Sequence, residues 1–419
     1  MAEEEKIVST TNFNPYGTQN DHNSLEPMKK EQKEHEMDMR TKIGFGSGHV
    51  FNDIASNACT GYALLFYTTV IRLSNVHAGL IFMIGNVADA FAVIATGCMI
   101  DMDFRCRVFD LYGKLKTWHL VGTICLLATY ILEFLPPLGI EIEELITIYY
   151  ATIFVVSNLG YAIVSVAHNS IISKLATSEK NQVTLSSIKN SGQAIACIII
   201  YLVAYFCFGI SDDNNFDTSE FAAFVLITSV AGVATSLLFH LLVKEIIPNQ
   251  NIDISESSER TKCEARSELL QDSISTMTRS QWLKEANFYI VSFIYAISRT
   301  YFSVCMAYLV FYVKYTLMLE KVYIAIMPLT MVISGLILSK PIKKIIDTFG
   351  LEKSLICFGI VGVWACTWIW FGCNSEESKR YEVFGISIFL GISSYSMLVA
   401  SLALVVGLIG KNVGKYLYV

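Results

Sequence analysis

Val76–Phe134 reads VHAGLIFMIGNVADAFAVIATGCMIDMDFRCRVFDLYGKLKTWHLVGTICLLATYILEF, two apolar runs on either side of a short loop holding Arg105, Arg107, Lys114 and Lys116. An α-helix rises 1.5 Å per residue and needs about 20 apolar residues to cross the hydrocarbon layer of a bilayer. Both runs, Val76–Ile100 and Trp118–Leu135, are long enough for that task. The same pattern recurs eight more times, over Val50–Ile71, Leu145–Ile172, Ser187–Ile210, Phe221–Val243, Phe288–Val313, Val322–Leu338, Leu351–Phe371 and Tyr381–Ile409. Of 419 residues, 53% are hydrophobic and only 16% charged, more apolar surface than one soluble core can hide. The expectation is an all-α, polytopic membrane protein with ten spans and lipid as its surroundings.

A net charge of −6, without a Lys/Arg-rich block interleaved with aromatics, excludes a nucleic-acid partner. The eleven cysteines form no C-x-x-C pair, and eight of them lie inside apolar runs, where a thiol behaves as a small hydrophobe. No metal is therefore expected. The N-terminus lacks an apolar signal region, so it is expected to stay cytosolic. Lys and Arg outside the spans concentrate in the N-terminus, the alternate loops and the C-terminus, which places both termini in the cytosol by the positive-inside rule.

Residues 245–281 are polar, Ser/Glu-rich and aperiodic, and read as a cytosolic linker. The organisation expected is a disordered N-terminus (1–42), a six-helix bundle (43–244), the linker, and a four-helix bundle (282–419). An internal repeat supports it. Asp110, Tyr112, Gly113, Lys116 and Gly122 recur as Asp347, Phe349, Gly350, Lys353 and Gly359 at one constant offset, after the second and the eighth spans. Two repeated bundles around a site near the midplane are a common transporter plan.

Charges at membrane depth cost on the order of 2.5 to 3.5 kcal/mol and so face a partner or a wet cavity. Asp89 in the second span and Arg299 in the seventh are the deepest, and they come from opposite halves. Asp53 and Lys189 lie nearer the cytosolic ends of the first and fifth spans. His49, Asp53 and Asn57 share one helical face, as do Asn158, Tyr161, Ser165 and His168 of the fourth span. Such stripes can instead glue helices through hydrogen bonds, and His49 and His168 read as packing or gate residues, not metal ligands. No nucleophile–base pair or metal cluster gathers at one membrane face, so an enzyme is not expected.

Asp89-Ala90, Gly97-x-x-x-Asp101, Gly113-Lys114-Leu115-Lys116-Thr117-Trp118 and Gly122-Thr123 resemble the second and third helices of the glycoside-pentoside-hexuronide cation symporters of the major facilitator superfamily. The resemblance implies a major facilitator fold and a cytosolic gate built from Asp101, Lys114 and Lys116. Further stretches, Gly48–Asp53, Trp118–Thr123, Trp282–Glu285, Ser401-Leu402-Ala403 and Leu408-Ile409-Gly410, are similar to a eukaryotic branch of that superfamily associated with lysosomal and pigment-granule membranes and with cysteine import. That implies a secondary-active transporter of a small polar solute, such as an amino acid, working by alternating access. On this reading Asp89, Arg299, Asp53, Lys189, Asn158 and Tyr161 bind the solute. Arg299 or Lys189 would hold a carboxylate, and Asp89 or Asp53 an ammonium or a coupling proton.

Two departures qualify the resemblance. Val93 and Ile94 stand where the symporters carry a second carboxylate and Pro, which argues against a sodium site but leaves proton coupling at Asp89 and uncoupled exchange both open. The family has twelve helices, and the tenth apolar run is followed only by residues to Val419, so the last two helices are expected to be missing. The alternative reading is a truncated isoform or fragment acting as a membrane binding or regulatory protein. The substrate class, coupling ion, oligomeric state and choice between lysosomal and plasma membrane are not encoded in composition or spacing.

Overall fold

The computed structural model describes residues 37–102, 107–175, 179–209, 215–245, 281, 283–372 and 375–415. Most of the expected N-terminal segment and nearly all of the linker lie outside the described residues. Among those described, the secondary structure is helical, with nine helices long and apolar enough to cross a membrane.

The first apolar run is helical as well but divided. It comprises α1 (Met39–Gly48), α2 (Val50–Ala58), a π-helical turn at Cys59–Ala63 and α3 (Leu64–Thr69). Helix starts eleven residues before Val50 because Phe45 and Gly46 are buried against the bundle, although the sequence there looks polar. The next helices are α4 (Asn75–Asp101), α5 (Arg107–Tyr112), α6 (Lys114–Glu133), α7 (Glu143–Leu175), α8 (Glu179–Phe208) and α9 (Thr218–Leu242). After the linker follow α10 (Ala286–Phe311), α11 (Lys321–Phe349), α12 (Leu351–Phe371) and α13 (Glu376–Lys415). Capping sets several of these starts. Ser74 accepts a hydrogen bond from the backbone of His77, and Asp217 with Glu220 forms a capping box at the head of α9.

Tyr62, Phe66, Phe134, Phe208, Phe221 and Phe224 interlock as a buried aromatic cluster. The same apolar core continues through Met306, Val310 and Met327. Outward, Phe91, Val230, Leu241 and Trp370 are exposed, the expected face toward lipid in a chain whose backbone groups are satisfied within its helices. The repeat deduced from the sequence has a matched local geometry. Gly113 and Gly350 both take positive φ, at 100° and 83°, and each directly precedes the next long helix. Only glycine adopts that backbone without steric cost, so the repeated glycine marks a repeated loop-to-helix corner.

α8 packs on α11, and α10 packs on the π-helical turn, so the segments before and after the linker meet directly. A buried ion pair joins them at one end: Lys321 Nζ lies 2.7 Å from Glu220 Oε1, with Phe216 5.0 Å from the same ammonium.

Candidate functional site

A cavity of about 690 Å³ opens among the first run, α4, α6, α7 and α10. Asp89, Asn158, Tyr161 and Arg299, four of the six expected binding residues, line it together. Apolar neighbours (Phe82, Leu126, Phe154) alternate with hydroxyls of Ser56, Thr60 and Ser303, a wall suited to a small polar solute. The π-helical turn brings Cys59 and Thr60 onto this wall. Such turns re-aim side chains and occur often at functional sites.

The opposite charges come from separate segments. Asp89 sits midway along α4, half-buried, and its Oδ1 is buried without a hydrogen-bond partner. Arg299 is exposed midway along α10, 5.8 Å from the Phe302 ring and within electrostatic range of Asp89. Among the described residues the two form no ion pair within 4.0 Å. Tyr161 hydrogen-bonds Ser56 and lies within the fields of Asp53, Asp89 and Arg299. Asn158 Nδ2 donates to the Gly85 carbonyl at 3.0 Å, which ties α7 to α4 beside Asp89. A Cβ on Gly85 would come 1.8 Å from the Phe154 ring, so the close approach requires glycine there.

Asp53 and Lys189 are placed differently. Asp53 is buried behind the wall and its Oδ2 meets His49 Nδ1 at 2.9 Å, since i and i+4 face each other on one helix. Lys189 donates to Asn169 Oδ1 at 2.8 Å and feels Asp53 electrostatically, but does not line the cavity.

The gate residues sit where helix ends crowd. Lys114 Nζ donates to the Met102 carbonyl at 2.8 Å, just past α4. Lys116 Nζ donates to the carbonyls of His240 (3.1 Å) and Val243 (2.7 Å), the C-terminal end of α9, where a cation is favoured by the helix dipole. In return Glu245 accepts the Leu115 and Lys116 backbone N–H groups at the head of α6. Glu245 reads in the sequence as the first residue of the linker, and its contact with α6, some 130 residues away, leaves no mark there. Asp101 ends α4, and its side chain lies outside the described residues.

His49, His119, His168 and His240, from the first run, α6, α7 and α9, cluster beside this corner with their rings tilted or edge-on, an arrangement the linear sequence conceals. His119 Nε2 faces the Gly48 carbonyl at 3.0 Å, so in the neutral ring it must donate and Nδ1 must accept. His240 Nε2 then donates to that Nδ1 at 3.2 Å, which leaves His240 Nδ1 to accept from the Tyr112 hydroxyl at 2.8 Å. Burial pushes the Tyr112 phenol up from its ordinary value, which keeps the donating proton in place. His168 stacks on Phe45 with ring centroids 4.3 Å apart and both ring nitrogens unpartnered, which fits packing. Among the described residues no group of His, Cys, Asp and Glu is disposed to hold a metal.

Residues 44–413 match the family described as MFS/sugar transport protein. The chain belongs to that family. It is a membrane transporter and not an enzyme, and a small-molecule substrate follows from membership. The mouse protein named major facilitator superfamily domain-containing protein 12 is 28% identical over 400 residues, 91% of this chain and 81% of the relative. The Bacillus subtilis uncharacterized symporter YnaJ is 23% identical over 228 residues, 54% of this chain and 46% of the relative. The crystal structure of a D-xylose–proton symporter superposes with a TM-score of 0.56 at 13% identity, covering 90% of this chain and 87% of that one, and so shares the fold.

Proposed function

We propose that this transporter carries a zwitterionic small solute, an amino acid of the size of cysteine, by alternating access of the 43–244 and 282–419 bundles. The observation that carries the reading is the pair of opposite, unpaired charges, Asp89 and Arg299, on the wall of one cavity of about 690 Å³. Arg299 presents a guanidinium to the solute's carboxylate, and Asp89, with its free Oδ1, accepts the ammonium. Asn158 and Tyr161 hold α7 in register beside them. A zwitterion satisfies both charges at once, which a sugar or a simple anion does not.

The corner of Lys114, Lys116 and Asp101 acts as the gate on the cytosolic face, where both termini lie. Lys116 is its fixed point, since four backbone groups depend on its position and on Glu245. A lysosomal or related organelle membrane agrees with the mouse relative's branch. The test is exchange of labelled for unlabelled cysteine across proteoliposomes containing the purified chain. Exchange above protein-free vesicles supports the reading, and its absence for cysteine and for a panel of neutral amino acids sinks it.

A further inference from the structure

Glu133 ends α6 with none of its surface exposed, at the helix end away from Lys114 and Lys116. Carboxylates at that depth are paired with a cation or carry a proton. Among the described residues no Lys, Arg or His forms an ion pair with it. Its hydrogen-bond partners among the described residues are uncharged. The Cys59 thiol, from the π-helical turn, donates to Oε2, and the Ser157 hydroxyl of α7 is a second hydrogen-bond partner. Tyr67, at the end of the first run, and Tyr130, one turn back on α6, complete the shell. Tyr149 and Tyr150 of α7 lie behind Tyr67, and Tyr130 is tied to Thr228 of α9 at 2.9 Å. Glu133 Oε1 and Tyr67 Oη are sealed without partners.

The position is as informative as the burial. Cys59 and Ser157, the two groups that touch Glu133, both line the solute cavity, so the carboxyl lies one side chain behind its wall. We propose that Glu133 is a proton-binding site, and that its proton, exchanged through the seam between Cys59 and Ser157, couples to solute movement. The coupling part rests on the transport reading above, whereas the proton site does not. Neutral Glu133 suits the sealed pocket; opening the seam to water would let the proton leave and the carboxylate form.

Infrared difference spectra of the purified protein across a pH titration, with no solute added, read the carboxyl directly. The expected result is a carbonyl band of a buried protonated acid that disappears in Glu133→Gln, which keeps the shape of the neutral acid, and that changes frequency in Cys59→Ala. A spectrum lacking that band, or a band that survives in Glu133→Gln and is unmoved in Cys59→Ala, overturns the proton site. In proteoliposomes, an imposed pH gradient should speed labelled cysteine uptake several-fold in the wild type and leave Glu133→Gln exchanging cysteine without response to the gradient. A Glu133→Gln protein as gradient-driven as the wild type overturns the coupling. Wild-type vesicles without any cysteine exchange would instead fail the transport reading, while the infrared band still decides the proton site.

Discussion

Arg299 is the residue on which solute recognition depends most, because it is a lone guanidinium on an apolar helix with no carboxylate in ion-pair range among the described residues. Loss of a charged hydrogen bond costs about 1.5–3 kcal/mol, so Arg299→Leu should raise the KM for cysteine roughly 10- to 100-fold. The amount of folded protein should stay the same, and Arg299→Lys should recover part of the affinity, since it restores charge without the two-pronged geometry. A KM unchanged in Arg299→Leu would return the residue to a lipid-facing role. Asp89, Arg299, Asn158 and Tyr161 were legible in the sequence because polar groups at membrane depth are expensive and stand out against apolar runs. Glu133 was not. It closes an apolar run just before Pro136 and Pro137 and reads as an interfacial acid, and only three-dimensional packing shows that it is buried beside Cys59, Tyr67 and Tyr130. Asp53 stands out in the sequence as a charge inside an apolar run, and its ion-pair partner, His49, sits one turn away on that same run, off the cavity wall.

Helix corners and helix-to-helix ties make the next set of expectations. Gly113 and Gly350 share the positive φ, but a Cβ on Gly113 would also meet Glu245 Oε2 at 2.3 Å, whereas among the described residues nothing lies within 4 Å of one on Gly350. Both pair that φ with an extended ψ, 137° and 160°, a backbone region that costs a non-glycine residue about 1–3 kcal/mol. Gly350→Ala should show that cost alone in thermal unfolding of the detergent-purified protein, and Gly113→Ala a clearly larger drop. Equal drops would mean that Glu245 does not dock on α6. At the other end, Lys321 is 3% exposed and paired with Glu220 across the segments before and after the linker. Removing one member of a buried pair costs about 3–5 kcal/mol because the other charge is stranded. Glu220→Gln should therefore unfold earlier than the double variant Glu220→Gln/Lys321→Met; the reverse order would show the pair to be solvated. The spans themselves were legible from hydropathy to within a few residues. The start at Met39 and the π-helical turn were not, because burial of glycines and a change in helical hydrogen bonding leave no mark on hydropathy.

At the scale of the whole molecule, two groups of helices in contact enclose a cavity whose two charges come from α4 and α10, so that a solute bridging them links both groups. Family membership and the repeat were readable from short motifs, but the solute was not, since the wall is assembled from five stretches far apart in the chain. Competition against labelled cysteine uptake in proteoliposomes tests recognition of a zwitterion most directly. Cysteine methyl ester lacks the carboxylate that Arg299 would hold, and N-acetylcysteine lacks the ammonium that Asp89 would hold. Neither should compete at concentrations where unlabelled cysteine abolishes uptake. Both competing as well as cysteine itself would contradict the assignment of Asp89 and Arg299 to the two ends of the solute.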